Sequence, residues 1–175
     1  MDWHKHFIYE GATGNLIRKP LAYAGTRSMQ EFNRWNSRNG GKVAGTPRTD
    51  GKGRRHMVYV RLNGVRLGAH RIIWEMFHGP ILPGMVIDHI DGNPWNNRLD
   101  NLRMCTQREN CYNQALRSCN PHKLKGVVAY KDKYRATIKV DGRMKALGVF
   151  PTKGLAAVAR AKAAIRYHGQ FARLT

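Results

Sequence analysis

Apolar and polar residues alternate in two stretches of the N-terminal part of the chain, and apolar residues recur at helical spacing in two others. The alternation predicts β-hairpins over residues 6–16 and 57–67, each with a turn that contains glycine. Apolar residues three and four positions apart predict helices over residues 28–38 and 69–78. Residues 36–55 are rich in glycine, arginine and polar residues, which indicates a basic loop.

The central part of the chain has strand, turn, strand and helix signals in close succession. Residues 85–89 and 102–105 predict strands, and the first is followed by a turn over residues 91–94. A helix is predicted from Thr106. Thr106 and Glu109 have the spacing of a capping box. In this motif the threonine hydroxyl accepts a hydrogen bond from the backbone amide of the glutamate, and the glutamate carboxylate accepts one from the backbone amide of the threonine.

The C-terminal part predicts three short strands and one alanine-rich helix after a linker over residues 117–125. The strands cover residues 126–130, 134–140 and 144–150, and the helix covers residues 155–168. One face of the strands is expected to pack on the helix through apolar side chains: Val127, Ala136, Ile138, Leu147 and Val149 on the strands, and Val158, Ala159 and Ile165 on the helix.

These elements predict an α+β fold in three segments. Residues 1–80 hold the N-terminal β-hairpins and a helix. Residues 81–118 hold a central strand–strand–helix unit, and residues 124–175 hold a three-stranded antiparallel sheet with one helix.

The chain of 175 residues carries 31 Lys and Arg against 11 Asp and Glu, a net charge of +20. A charge this positive favours a polyanionic partner, because each cation placed on a phosphate releases condensed counterions. Residues 1–80 carry +9 and residues 122–175 carry +11, whereas residues 81–121 are neutral. Two basic flanks therefore bracket a neutral centre, and double-stranded DNA is the expected partner.

The same composition argues against a membrane or export location. Charged residues interrupt every apolar stretch, and the N-terminus has no apolar signal region. Three cysteines, an odd number, indicate reduced thiols, so we expect a cytoplasmic protein. Cys105, Cys111 and Cys119 with His122 lack the paired spacing of a zinc knuckle, which argues against structural zinc.

Carboxylates in the neutral centre would repel phosphate unless a divalent cation lay between them. For Asp91, Asp100 and Glu109 the simpler interpretation is that they cap turns and helices. Asp88 is the exception, because it directly precedes His89 at the end of a predicted strand.

The central motif resembles that of HNH endonucleases, in particular their phage and intron-encoded homing branch. It consists of Asn110 and the run over residues 88–103, DHIDGNPWNNRLDNLR. The resemblance covers residues 85–114. It implies that Asp88 and Asn110 are metal ligands, that His89 is the general base and that Asn101 is the middle motif residue.

The chemistry of these residue types agrees with the resemblance. A neutral imidazole is a suitable base for activating water, although a lone histidine is more often a hydrogen-bonded surface residue. One carboxylate and one amide oxygen leave room for water and phosphate on a single Mg²⁺ or Mn²⁺ ion. The Asn101 side chain is expected to accept the second ring N–H of His89. Arg103 and Asn113 are further candidates for DNA contact, and His70 is interpreted as a helix-packing residue.

Residues 125–175 resemble the AP2 DNA-binding domain, in which a three-stranded sheet lies in the major groove. The resemblance rests on the runs KGV at 125–127, YRATI at 134–138 and LGVF at 147–150, and on the alanines of the helix. The outer face of the sheet is expected to offer DNA-binding side chains, namely Tyr130, Lys131, Lys133, Arg135, Lys139, Arg143 and Lys145. Several positions that contact DNA bases in the plant proteins of the AP2 family carry different residues here. The DNA sequence that those proteins bind is therefore not expected to be the target of this chain.

The sequence therefore predicts a metal-dependent DNA endonuclease of the HNH homing type. A single catalytic centre favours nicking by a monomer. The alternatives are a non-catalytic AP2-type DNA-binding regulator with a degenerate nuclease fold, and a nuclease directed at branched DNA or RNA. The intact set of Asp88, His89, Asn101 and Asn110 favours the nuclease.

Overall fold

A computed structural model of the protein describes residues 1–25, 28–116 and 124–174. The chain forms two compact units, an N-terminal unit of Met1–Met104 and a C-terminal unit of Cys105–Thr175. This division differs from the three predicted segments, because the boundary lies inside the predicted central unit. Most of the linker predicted over residues 117–125 lies outside the described residues. Within the described ranges, no helix is long and apolar enough to cross a membrane.

The N-terminal unit contains four two-stranded sheets and two helices, in addition to short 3-10 turns. The strand pairs are β1 with β2, β3 with β4, β5 with β6, and β7 with β8. The bounds are β1 Phe7–Glu10, β2 Asn15–Arg18, α1 Met29–Asn39, β3 Arg48–Thr49, β4 Arg55–His56, β5 Tyr59–Leu62, β6 Val65–Gly68, α2 Ala69–His78, β7 Met85–His89 and β8 Leu102–Thr106. Both predicted hairpins and both predicted helices are confirmed. The predicted basic loop differs in part, since it contains the short β3–β4 ladder.

One apolar core connects the hairpins of this unit to α2 and β7. Phe7 and Leu16 from the first hairpin, Val60 from β5 and Ile73 from α2 are almost completely buried, and Ile87 of β7 packs in the same cluster. Burial of each such side chain stabilises the fold by about 1.5–3 kcal/mol. The core therefore holds β7 in place and fixes the position of the residues at its end.

The C-terminal unit begins with the end of β8 and one short helix, followed by a three-stranded sheet and a longer helix. Its elements are α3 Gln107–Asn113, β9 Val127–Tyr130, β10 Lys133–Val140, β11 Arg143–Phe150 and α4 Lys153–His168. The strands are antiparallel, and β10 is central. The predicted capping box of α3 is present, and the Thr152 hydroxyl caps α4. The predicted sheet and helices are confirmed.

The packing face of α4 differs from the prediction. The helix buries Ala156, Arg160, Ala163 and Ala164, which recur at helical spacing on one side. Val158 and Ile165 were expected to pack on the sheet, but their side chains are 52% and 60% exposed, and Val149 of β11 is also exposed. Because alanine side chains are small, this side of the helix can lie close to the sheet. The larger Val158 and Ile165 side chains therefore face the solvent.

The register of β10 and β11 corrects the predicted DNA-binding face. A bulge between Ala136 and Thr137 shifts the pairing, after which Ile138 lies opposite Lys145 and Val140 opposite Arg143. Directly paired residues share a face, so Lys145 and Arg143 lie on the side of the sheet that carries α4, not on the outer side. Consistent with this, the Lys145 Nζ donates to the Tyr167 hydroxyl of α4 at 2.7 Å.

Candidate active site

The last residue of β7, His89, is held by a side chain from the loop that follows. His89 and the preceding Asp88 are buried, with 6% and 7% of their surfaces exposed. The His89 Nε2 lies 2.9 Å from the Oδ1 of Asn97. Because an amide oxygen accepts a hydrogen bond, Nε2 is the donor in this contact, and Nδ1 is the ring nitrogen that can act as a base. The contact therefore fixes the orientation of the ring.

The prediction that Asn101 accepts from His89 is wrong, because Asn101 closes the loop instead. Its Oδ1 accepts the Asp91 amide at 3.0 Å, and its Nδ2 donates to the Asp91 carboxylate and the Asn96 carbonyl. Burial alone would raise the pKa of Asp91, but hydrogen bonds from Asn96, Asn93 and Asn101 lower it below its ordinary value. Asn101 therefore sets the path of the loop that carries Asn97.

The first hairpin of the chain supports this loop from the other side. Gly14 has a φ of 75°, and a Cβ there would lie 2.6 Å from the Arg98 nitrogen and 2.7 Å from the Asn97 carbonyl carbon. The Leu99 amide donates to the Tyr9 hydroxyl at 2.9 Å. Only glycine permits this backbone approach, so the β1–β2 turn fixes the position of Asn97.

Asp88, the predicted metal ligand, forms a buried ion pair with Arg103 of β8. The Arg103 Nε and Nη2 atoms donate to the Asp88 Oδ2 at 3.0 and 2.8 Å. Both side chains are largely buried, so this charge-assisted hydrogen bond is little exposed to solvent. The guanidinium of Arg103, a predicted DNA contact, thus lies beside the predicted metal ligand.

A second histidine lies beside His89. His70 of α2 is buried, and its ring centroid is 5.2 Å from that of His89. Its Nδ1 is buried without a hydrogen-bond partner. Burial is the main cause that lowers the pKa of His70 to about 4, and the positive charge of Arg71 adds to it. His70 is therefore neutral at pH 7, although only a helix-packing role was predicted for it from its position in the sequence.

The remaining predicted residues of the site lie on α3, in the C-terminal unit. Asn110 is half-buried on this helix. Asn113 is buried at its C-terminal end, where its carbonyl accepts from the Arg173 Nη1 at 3.2 Å. Asp88 and Asn110 thus belong to different units, and their joint role as ligands stays a prediction.

The donor chemistry of Asp88 and Asn110 suits a hard divalent cation. A carboxylate and an amide oxygen are ligands that Mg²⁺ and Mn²⁺ accept, and neither is a soft ligand. In the part of the chain that the structure describes, no three His, Cys, Asp or Glu side chains form a metal-binding group. Cys105 is buried and Cys111 is exposed, whereas Cys119 and His122 lie outside the described residues.

The N-terminal unit contains a basic cleft of about 730 Å³, formed by the chain from β2 to β6. The Arg18 Nη2 donates to the Arg61 carbonyl at 2.8 Å, and the Arg66 guanidinium carbon lies 3.9 Å from the Tyr59 ring centroid. The cationic and aromatic side chains that line the cleft are Arg18, Arg48, His56, Tyr59, Arg61 and Arg66. No carboxylate lines the cleft, so its electrostatic potential is positive. We name this feature the arginine cleft.

The outer face of the C-terminal sheet has the same combination of cations and aromatic rings. The Arg135 guanidinium carbon lies 3.8 Å from the Tyr130 ring centroid. Lys133 and Lys139 share this face by register, and Lys131 lies in the turn that precedes Lys133. That turn is formed by residues 131 and 132, so β10 begins at residue 133, one position before the predicted start of the strand.

Comparison with known proteins places these features in a family context. A sequence model described as HNH endonuclease matches residues 67–112. Protein 3.8 of Escherichia phage T7 is 38% identical over 108 residues, which cover 59% of this chain and 87% of the phage protein. An uncharacterized HNH endonuclease of Acanthamoeba polyphaga mimivirus is 30% identical over 109 residues, which cover 61% of this chain and 56% of the viral protein.

A comparison of folds gives one further likeness. A solved structure described as DNA binding and cleavage by the HNH homing endonuclease I-HmuI aligns with this chain. The alignment covers 93% of this chain and 85% of the chain in the solved structure. The two are 21% identical, with a TM-score of 0.39.

Proposed function

This chain belongs to the HNH endonuclease family, and we propose that it is a metal-dependent DNA endonuclease of the homing type that nicks one strand of duplex DNA. The observation that carries the proposal is the buried His89 ring, whose Nε2 proton is directed to Asn97. This contact orients the ring, and with the Nε2 proton directed to Asn97 the lone pair that can take a proton from water lies on the other ring nitrogen.

In the proposed reaction His89 takes the proton of an attacking water on its Nδ1. The water oxygen then bonds to phosphorus while the phosphodiester P–O bond breaks. The imidazolium that forms is stabilised by the amide oxygen of Asn97, which already accepts from Nε2. Asn101 and the first hairpin keep Asn97 in place. The role of Asn101 is thus to position the loop.

Asp88 and Asn110 would hold the divalent cation, Mg²⁺ or Mn²⁺. When bound, such a cation neutralises negative charge on the phosphate and on the leaving oxygen. Arg103 donates to the Asp88 Oδ2, which holds the carboxylate in place at the end of β7. The four polar positions of the family motif are all retained in this chain, which supports catalysis over a degenerate nuclease fold.

Duplex DNA would contact basic surfaces of both units. In the N-terminal unit the arginine cleft offers four guanidinium groups. In the C-terminal unit the outer sheet face offers Tyr130, Lys133, Arg135 and Lys139, with Lys131 at its edge. We assign this sheet the DNA-binding role of an AP2-like domain, and we omit Arg143 and Lys145 because they lie on the α4 side.

The proposal is tested by a nicking assay on supercoiled plasmid, with Mg²⁺ or Mn²⁺ in one arm and EDTA in the other. We expect open-circular product with metal and none with EDTA. Binding of the same DNA without any product would favour the non-catalytic regulator instead. Faster cleavage of branched DNA or of RNA in matched reactions would indicate a different substrate.

A further inference from the structure

Three cationic side chains meet around a small cavity in the C-terminal unit. Lys125, Arg160 and Arg173 line a space of about 20 Å³ together with apolar residues. That volume holds about one water-sized group, such as one oxygen of a phosphate. The cavity is separate from the outer sheet face, because Arg160 belongs to the side of α4 that packs against the sheet.

Arg160 is a buried cation with one unsatisfied donor. Only 7% of its surface is exposed, and among the described residues its Nε has no hydrogen-bond partner. Buried charges are otherwise paired or hydrogen-bonded, because removing a charge from water costs several kcal/mol. A buried guanidinium nitrogen that lacks an acceptor therefore points to a missing anion.

The fold holds this guanidinium in place. Gly126 has a φ of 70°, and a Cβ at this position would lie 2.9 Å from the Arg160 Nε and 2.3 Å from the Thr137 carbonyl oxygen. The Arg160 side chain thus lies directly against the Gly126 backbone. Glycine at position 126 makes room for the guanidinium inside the unit.

Among the described residues of this unit, no carboxylate lies within ion-pair distance of the cluster. Cys105–Thr175 contains three acidic residues. Of these, Glu109 caps α3 and Asp141 pairs with Arg108. The Lys125 Nζ instead donates to two neutral carbonyls, the Tyr112 and Gln114 oxygens, at 2.8 and 2.9 Å. Burial and the charges of Arg160 and Arg173 lower the pKa of Lys125.

We propose that Lys125, Arg160 and Arg173 form an oxyanion site that takes one phosphate group. Guanidinium and ammonium groups together recognise phosphate, and the Arg160 Nε supplies a donor that no protein group uses. The phosphate belongs either to free inorganic phosphate or to a DNA backbone. The DNA source rests on the proposed function, whereas binding of free phosphate does not.

The first experiment measures the melting temperature of the full chain in inorganic phosphate and in chloride at equal ionic strength. We expect phosphate to raise the melting temperature of the wild type. The Arg160→Met variant keeps the aliphatic stem but loses the charge, so its melting temperature should rise only by the general stabilising effect of phosphate, and therefore by less than that of the wild type. Lys162→Met removes an exposed charge from the same helix and should respond like the wild type.

The second experiment measures how the affinity for duplex DNA depends on salt, in EDTA so that no cleavage occurs. If a DNA phosphate occupies the site, Arg160→Met should reduce the slope of log K against log[salt] by about 0.9. A phosphate response with an unchanged slope supports the site with free phosphate as its ligand. Equal phosphate responses of Arg160→Met and the wild type, together with an unchanged slope, would overturn the proposal.

A third measurement keeps the proposal testable if Arg160→Met does not fold. Crystals of the wild-type protein grown with tungstate, an electron-dense analogue of phosphate, should show an anomalous peak beside the Arg160 guanidinium, with the tungstate oxygens within hydrogen-bond distance of it. Tungstate peaks elsewhere with none at this cluster would contradict the site.

Discussion

The amide oxygen of Asn97 lies 2.9 Å from the Nε2 of His89, and both side chains are buried. This contact joins the end of β7 to a loop eight residues further along the chain. The contact sets which ring nitrogen carries the proton, so the chemical state of the proposed base depends on a residue outside the strand. Asn97 is a positioning residue in this account.

Replacing Asn97 should therefore impair cleavage more than DNA binding. We expect Asn97→Leu to reduce the nicking rate by about 10–100-fold, the usual loss when the group that orients an imidazole is removed. Asn97→Asp keeps an acceptor oxygen and should retain most of the rate. The measurement is single-turnover nicking beside DNA affinity in EDTA. Equal rates for Asn97→Leu and the wild type would show that the contact is incidental.

The first hairpin should matter for catalysis through Gly14. A Cβ at this position would collide with the backbone of Asn97 and Arg98. Gly14→Ala should therefore displace the loop, lower the free energy of unfolding by about 1–3 kcal/mol through strain, and slow nicking. The measurements are urea denaturation and the nicking rate.

Gly64→Ala is the matched control for this substitution. Gly64 also has a positive φ, of 80°, in the β5–β6 turn, but an added Cβ there meets nothing within 4 Å. The Gly64→Ala variant should therefore have the same kind of backbone strain as Gly14→Ala, but the folded variant should nick DNA at the wild-type rate. If both variants nick equally well, the hairpin does not position the site.

The free energy of unfolding should decrease as the pH falls below 6.5, because His70 is held neutral in the folded protein. Its pKa is about 4 in the folded protein against 6.5 for an ordinary histidine, so only the unfolded chain binds the proton between these values. The free energy of unfolding therefore includes a contribution from the neutral His70 that is complete above pH 6.5. This contribution is lost as the pH falls towards 4, at about 1.4 kcal/mol per pH unit. Urea denaturation at pH 7 and pH 5 measures this loss.

The His70→Gln variant should show a smaller loss of stability between these two pH values. His78→Gln changes an exposed histidine of the same helix and should behave like the wild type. An identical pH dependence in all three proteins would show that His70 is not held neutral by burial.

The arginine cleft should contribute phosphate contacts. Replacing both Arg61 and Arg66 with alanine removes two exposed charges and should reduce the salt slope of DNA binding by about 0.9 per lost phosphate contact. Arg34 and Arg38 of α1 are also exposed, and their double replacement is the matched control. Equal effects of the two double variants would mean that only net charge matters, not the cleft.

Sequence patterns predicted most elements of the fold because each pattern has a local cause. The glycine turns, the Thr106 capping box and the apolar spacing of α2 all act within a few residues. The side of α4 that packs on the sheet was predicted wrongly, because hydrophobicity ranks Val158 and Ile165 above alanine. In the structure close approach of the helix decides the face, and small side chains permit it.

The candidate site was predicted only in part for a related reason. Asp88 and His89 follow from a strand end, but the loop offers several asparagines with the same chemistry, and spacing does not tell Asn97 from Asn101. The choice depends on the Gly14 contact, which comes from a distant part of the chain. The β10–β11 bulge, which moved Arg143 and Lys145 to the α4 side, has no signal in the alternation of residue types.

The role of His89 as general base is tested most directly by His89→Ala, measured for nicking of supercoiled DNA in Mg²⁺ or Mn²⁺ and for binding in EDTA. Loss of a general base should lower the rate by about 10²–10⁴-fold while DNA affinity is unchanged. Parallel loss of cleavage and binding would mean that His89 holds DNA, and unchanged cleavage would mean that the nuclease centre lies elsewhere.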